Sequence, residues 1–333
     1  LAVLKFAFLA VVLAYVAQTF RDGLHDLSQQ RLTFSFPHLA AACVAYVLAQ
    51  ATMATFWRRV LLAVGQPTPA SVAYSTFFIS QLGKYVPGKA SVVLLRASRL
   101  HAAEKRRGHA IAYKSLLVKA GASSFYESLC YMAVGSLLAA GLIPFVEGAT
   151  TVRWLAPVAL GLAAVCLTPA LPPVFRWLMA RFTSSSGRAE LRDRLRESLG
   201  YELAAYGVLA ATIAWVLMAV FLWLVAQSIG MAQGQGIADQ PWATLAFWTL
   251  AATLPAVAGF VSLLPAGIGV REAVSLALLA PVLGDGGAVA VTAASRLIGV
   301  ATEVLVCVSL LVGESLRKRR RNHSQTASNR DAS

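Results

Sequence analysis

Long apolar runs separated by short polar turns set the plan of this chain. Leu1–Phe20, Phe36–Phe56, Ala110–Leu142, Trp154–Phe175, Gly207–Ile229 and Ala288–Val312 each read as a membrane-crossing helix, because about 20 apolar residues cover a bilayer core. Two further apolar stretches are interrupted. Val72–Leu82 and Ala90–Leu95 flank Gly83-Lys84-Tyr85-Val86-Pro87-Gly88-Lys89, and Pro241–Leu264 and Ala273–Leu283 flank Pro265-Ala266-Gly267-Ile268-Gly269-Val270-Arg271-Glu272. Proline removes a backbone donor and disfavours helix at the residue before it, while glycine permits turns that other residues resist. Inside a membrane such breaks are tolerated only where protein or a watery cavity surrounds them. The predicted fold is therefore an all-α polytopic membrane protein, with six full spans plus two re-entrant helical hairpins.

Composition and charge sharpen this picture. The 333 residues are 58% hydrophobic and 13% charged, with a mean hydropathy of +0.65, which argues against a soluble globular domain. The net charge of +14 does not point to nucleic acid, since the basic residues sit in short loops beside apolar runs. One side collects Lys5, Arg58, Arg59, Arg96, Arg99, Lys105, Arg106, Arg107, the arginines from Arg176 to Arg196 and the tail; the other keeps Arg21, Arg31 and Arg153. The positive-inside pattern then puts both termini in the cytoplasm of an inner (plasma) membrane protein. With that orientation the first hairpin enters from the cytoplasm and the second from outside. The halves, about residues 1–142 and 154–313, become an inverted repeat, and 314–333 is expected to be a disordered basic tail.

The chain opens at Leu1 rather than Met, so a start segment is expected ahead of it, and Leu1–Phe20 reads as a true span rather than a signal peptide. Cys43, Cys130, Cys166 and Cys307 fall inside predicted spans without paired spacing and read as small buried residues. No His cluster, metal-ligating carboxylate pair, catalytic triad or complete P-loop stands out, so no cofactor, metal or catalytic residue is expected.

The candidate chemistry lies in charges within apolar sequence. Lys84, Lys89, Lys114, Lys119, Arg271 and Arg296 are basic, while Glu127, Glu272 and Glu303 are acidic. Each is costly in hydrocarbon and so should face a cavity or a partner. On an ideal helix Lys119 and Glu127 share a broad face, as do Arg296 and Glu303. The reading is a hydrated, mainly positive site for an anionic headgroup, with the acids holding the cations and the helix N-termini after Gly88 and Gly269 adding backbone donors. The alternative is a set of buried ion pairs tying helices together. The residues assigned to substrate are Lys84, Gly88, Lys89, Arg96, Lys119, Glu127, Gly267, Gly269, Arg271, Glu272, Arg296 and Glu303. Ser123, Ser124 and Tyr126 read as helix packing.

At the two breaks the sequence resembles the lysylphosphatidylglycerol synthase/flippase transmembrane family. Gly83-Lys84-Tyr85-Val86-Pro87-Gly88 followed by Arg96 is similar to its first motif, and Pro265-Ala266-Gly267-Ile268-Gly269-Val270-Arg271-Glu272 to its second, with Ala266 in place of a glycine. Glu127 and Arg296 match further family positions. The resemblance implies lipid translocation or a role in lipid-linked sugar metabolism, without the aminoacyl-transferase domain of bifunctional members. The expected activity is a flippase moving an anionic phospholipid or polyprenyl-phosphate-linked lipid between leaflets. A membrane glycosyltransferase-type enzyme and a non-transporting scaffold are the alternatives, with a homo-oligomer allowed in each.

Overall fold

Runs of Ala, Leu and Val with few breakers become helices here, since a helix satisfies every interior backbone polar group without water. The computed structural model describes residues 34–85, 91–146, 152–182, 199–231, 241–262, 267 and 269–331, with side chains described as far as residue 316. Its α-helices are α1 (Phe36–Ala63), α2 (Ala70–Gln81), α3 (Ser91–Arg106), α4 (Tyr113–Leu142), α5 (Leu155–Ala170), α6 (Pro172–Phe182), α7 (Tyr201–Ser228), α8 (Pro241–Val261) and α9 (Val270–Asp331). Gly284, at φ 73°, breaks α9 into two segments. Leu1–Phe20, Gly88 and Lys89 lie outside the described residues.

Helices α1, α4, α7, α8 and α9 are each long and apolar enough to cross a membrane, and α5 with α6, bent by 69°, would make a sixth span. The predicted Trp154–Phe175 span thus bends where Pro169, Pro172 and Pro173 cluster. The first predicted hairpin appears as α2 and α3 packed side by side, both too short to cross. The second is unequal, because α8 passes unbroken through Pro255 and reaches spanning length by itself.

Small residues set the central contact. Helix α1 buries Ala42, Ala45, Ala49 and Ala54, and α7 buries Gly207, Ala210, Ala211 and Ala214. These two helices pack along each other, as expected where helix association in lipid depends on close backbone approach. A Cβ added at Gly207 would stand 2.5 Å from Cζ of the buried Phe56. Gly207→Ala is therefore expected to lower stability by about 1–3 kcal/mol, the usual cost of overpacking. Gly141→Ala, where a Cβ meets nothing within 4 Å, should leave it unchanged or slightly higher. Thermal unfolding in detergent compares the two, and equal melting temperatures would refute the packing account.

Glycines also make both reversals. A Cβ at Gly83 would lie 2.9 Å from the Val92 backbone nitrogen, and one at Gly267 would lie 2.7 Å from the Gly259 Cα. Gly267 and Gly269 further hold φ of 66° and 85°, the left-handed region that side chains resist. Each reversal is closed by backbone lying on backbone.

Two expectations about the basic segments change. The Arg96–His109 stretch is not a loop: α3 runs to Arg106, which carries Arg96 into the protein at 2% exposure. The tail expected to be disordered continues α9 as helix through Asp331. No glycine or proline follows Gly313, so nothing local stops that helix.

Candidate functional site

The two breaks and the last helix converge on one cluster of charges. Glu303 projects from the second segment of α9 and is 4% exposed. It accepts from Tyr46 Oη and Lys84 Nζ, and more distantly from Gln50 Nε2 at 3.5 Å. The first reversal, α1 and the last helix are thus joined at one carboxylate. Lys84 and Glu303 stand 219 residues apart in the chain.

The second break supplies the other half. Gly269 caps α9: its carbonyl accepts the first helical bond from the Ala273 amide at 2.9 Å, and its own amide donates to Glu272 Oε2 at 2.7 Å. A glutamate three residues into a helix reaching back to the cap amide is the reciprocal part of a capping box. The other oxygen of Glu272 accepts from Arg296 Nη2. Arg271, half-buried beside Glu272, makes no hydrogen bond or ion pair among the described residues. It lies within electrostatic reach of Lys84, Arg296, Tyr46 and Tyr131.

Among the described residues, three cations therefore face two carboxylates, an excess of one positive charge. The Lys84 and Arg296 side chains keep 36% and 33% exposure despite their partners. Tyr131 is held beside Arg271 by stacking on Trp215, with centroids 4.2 Å apart and planes at 10°. Trp215 Nε1 also donates to the Tyr131 carbonyl at 2.9 Å. An anionic group entering here would meet fixed donors in a setting where charge interactions are stronger than in water.

The first half uses its charges differently. Arg96 donates through Nη1 to Glu127 Oε2 and to Ser124 Oγ, both at 2.8 Å, and through Nε to Ser80 Oγ at 3.1 Å. Its guanidinium lies 4.5 Å from the Trp57 ring and 4.7 Å from the Phe77 ring. Trp57 Nε1 donates in turn to Ser123 Oγ at 3.0 Å, and Tyr126 is wholly buried. Arg96 and Glu127 are thus enclosed among α1, α2, α3 and α4.

Of the sequence-assigned residues, Lys84, Gly267, Gly269, Arg271, Glu272, Arg296 and Glu303 belong to the two reversals and the cluster they frame. Arg96 and Glu127 form a separate, closed pair. Lys119 faces neither group: its Nζ donates to the Gly65 carbonyl at 2.8 Å, bracing the turn between α1 and α2. Lys114 is exposed near the start of α4. Lys119 and Glu127, and Arg296 and Glu303, are expected to share helix faces, but Glu127 pairs with Arg96, Glu303 with Lys84, and Arg296 with Glu272 across the Gly284 break. Tyr46, Gln50 and Tyr131 were missed; Tyr46 and Gln50, polar and four residues apart in an apolar run, were the available signal.

The helices and the buried charge cluster define a multi-pass membrane protein built around fixed intramembrane charge. Residues 2–307 match the family described as the lysylphosphatidylglycerol synthase TM region, and the chain belongs to that family. No curated protein matches it.

Proposed function

We propose that this protein is a lipid transporter that moves a lipid with an anionic headgroup between leaflets, the headgroup phosphate contacting Arg271 with Lys84 and Arg296 beside it. The observation that carries the reading is Arg271, an arginine at a glycine-rich break left without a partner among the described residues. A half-buried arginine that makes no ion pair among the described residues is costly, and an incoming phosphate would satisfy it bidentately. The acyl or prenyl chains stay in the bilayer.

The packing supports an inverted repeat as the frame for this movement. Helices α1 and α7 lie along each other at the centre. Helix α4, which follows the first reversal, packs on α8 of the second; α9, which follows the second, packs on α2 of the first. Each half thus closes on the other's reversal, the arrangement expected when two oppositely inserted repeats place a site between them. Both termini lie in the cytoplasm in this reading. Without an ATPase motif, movement is downhill or coupled to an ion.

The test uses the purified chain in proteoliposomes containing fluorescent phosphatidylglycerol or a polyprenyl-phosphate lipid. Bleaching of label in the outer leaflet should proceed to completion faster than in protein-free vesicles. If the label stays in its leaflet while a donor sugar is consumed, the protein is an enzyme instead. If neither happens with any anionic lipid, the transport reading falls.

A further inference from the structure

The 69° bend between α5 and α6 sets a depth. Helix α5 has 16 residues and α6 has 11; at ~1.5 Å per residue they measure ~24 Å and ~16 Å. Projected on the α5 axis, the tilted α6 adds only ~6 Å, so the pair rises ~30 Å, about the thickness of the hydrocarbon core. Helix α6 is then not the second half of a straight span. With α5 upright in the bilayer, the 69° bend lays α6 nearly flat where hydrocarbon gives way to headgroups.

Its residues suit that level. Phe175 is wholly buried on the inner side, its ring 4.6 Å from that of Tyr126 and 6.4 Å from that of Phe125 on α4. On the outer side, Pro173, Trp177 and Arg181 recur every fourth residue and are exposed, Trp177 at 62%. Arg176 is half-buried and turns back to donate to the Pro172 carbonyl at 3.1 Å through Nε, and its terminal nitrogens have no acceptor among the described residues. An exposed tryptophan flanked by arginines is the residue set of the membrane interface.

We propose that α6 is an interfacial helix whose Arg176, Trp177 and Arg181 bind anionic phospholipid headgroups of the leaflet at the α6 end of the α5–α6 pair. This surface is separate from the charge cluster of the two reversals, and its occupant is a resident lipid. Two measurements on the full chain test it, in vesicles of 70% phosphatidylcholine and 30% phosphatidylglycerol.

A nitroxide placed by Trp177→Cys, with the four native cysteines replaced, should be reached by both oxygen and a water-soluble nickel chelate, the mark of headgroup depth. A label reading as bulk water or as bilayer centre overturns the proposal. Spin-labelled phosphatidylglycerol should be restricted by the protein in preference to phosphatidylcholine. Arg176→Gln with Arg181→Gln should reduce that preference, by about fivefold for each arginine in contact. Arg176→Lys with Arg181→Lys should keep it. An unchanged preference in the glutamine variant, eluting as the native protein does in size exclusion, overturns the anionic contact. A variant that fails to fold leaves the depth and the lysine variant to decide.

Discussion

Arg96→Leu is expected to cost about 3–5 kcal/mol and to leave little folded protein, whereas Arg96→Leu with Glu127→Leu should recover most of the loss. The reason lies in what each change leaves behind. Arg96 is 2% exposed and Glu127 is 9% exposed, so neither can turn to water when its partner goes. The single change strands a buried carboxylate and removes donors from Ser80 and Ser124. The double change gives up the pair together, and two apolar side chains of similar bulk suit the Trp57 and Phe77 rings that now sandwich the guanidinium. Thermal unfolding in detergent, with expression level as a second reading, measures both. A stable Arg96→Leu protein, or a double variant as unstable as the single one, would show that the pair does not hold α2, α3 and α4 together as described.

Arg271→Gln is expected to do the opposite. Stability should stay near that of the parent, because Arg271 has no hydrogen bond or ion pair among the described residues to lose, and removing an uncompensated cation relieves repulsion from Lys84 and Arg296. Lipid movement in proteoliposomes should fall by roughly 10- to 100-fold, the size expected when a charged hydrogen bond to the moving group is lost. Lys84→Gln should slow movement as well, but with a stability loss, since it takes the cation away from the buried Glu303. A variant at position 271 that transports at the parental rate would detach the site from the activity, even with transport itself established.

Much of the cluster was legible in the sequence because a charge in an apolar run is a strong signal. Lys84, Arg271, Glu272, Arg296 and Glu303 stand out for the cost of burying them, and the glycines between them mark where the chain turns. Who pairs with whom was not legible. Helix periodicity relates residues only to neighbours three, four or seven positions away. It therefore offered Arg296 with Glu303, while the folded chain joins Glu303 to Lys84 and Arg296 to Glu272. Arg96 was misread for a related reason. Five basic residues between Arg96 and Arg107 resemble a surface loop, yet the helix carries the first of them inward and the later ones outward. Pro241–Leu264 reads in the sequence as one arm of a hairpin, whereas α8, which carries Pro255 in its interior without ending, reaches spanning length by itself. The pair between Arg99 and Glu314, 2.6 Å apart, was out of reach while the tail was read as disordered.

The contrast between the Arg96–Glu127 and Arg296–Glu272 pairs bears on stoichiometry. In the first half the arginine is consumed internally, by Glu127; in the second, Glu272 takes Arg296 and leaves its neighbour Arg271 over. Among the described residues, the cluster at the two reversals thus has room for one further negative charge. Titration of the solubilised protein with a short-chain anionic lipid, in the Arg176→Gln, Arg181→Gln background that removes the α6 contacts, should saturate at one molecule per chain, not two.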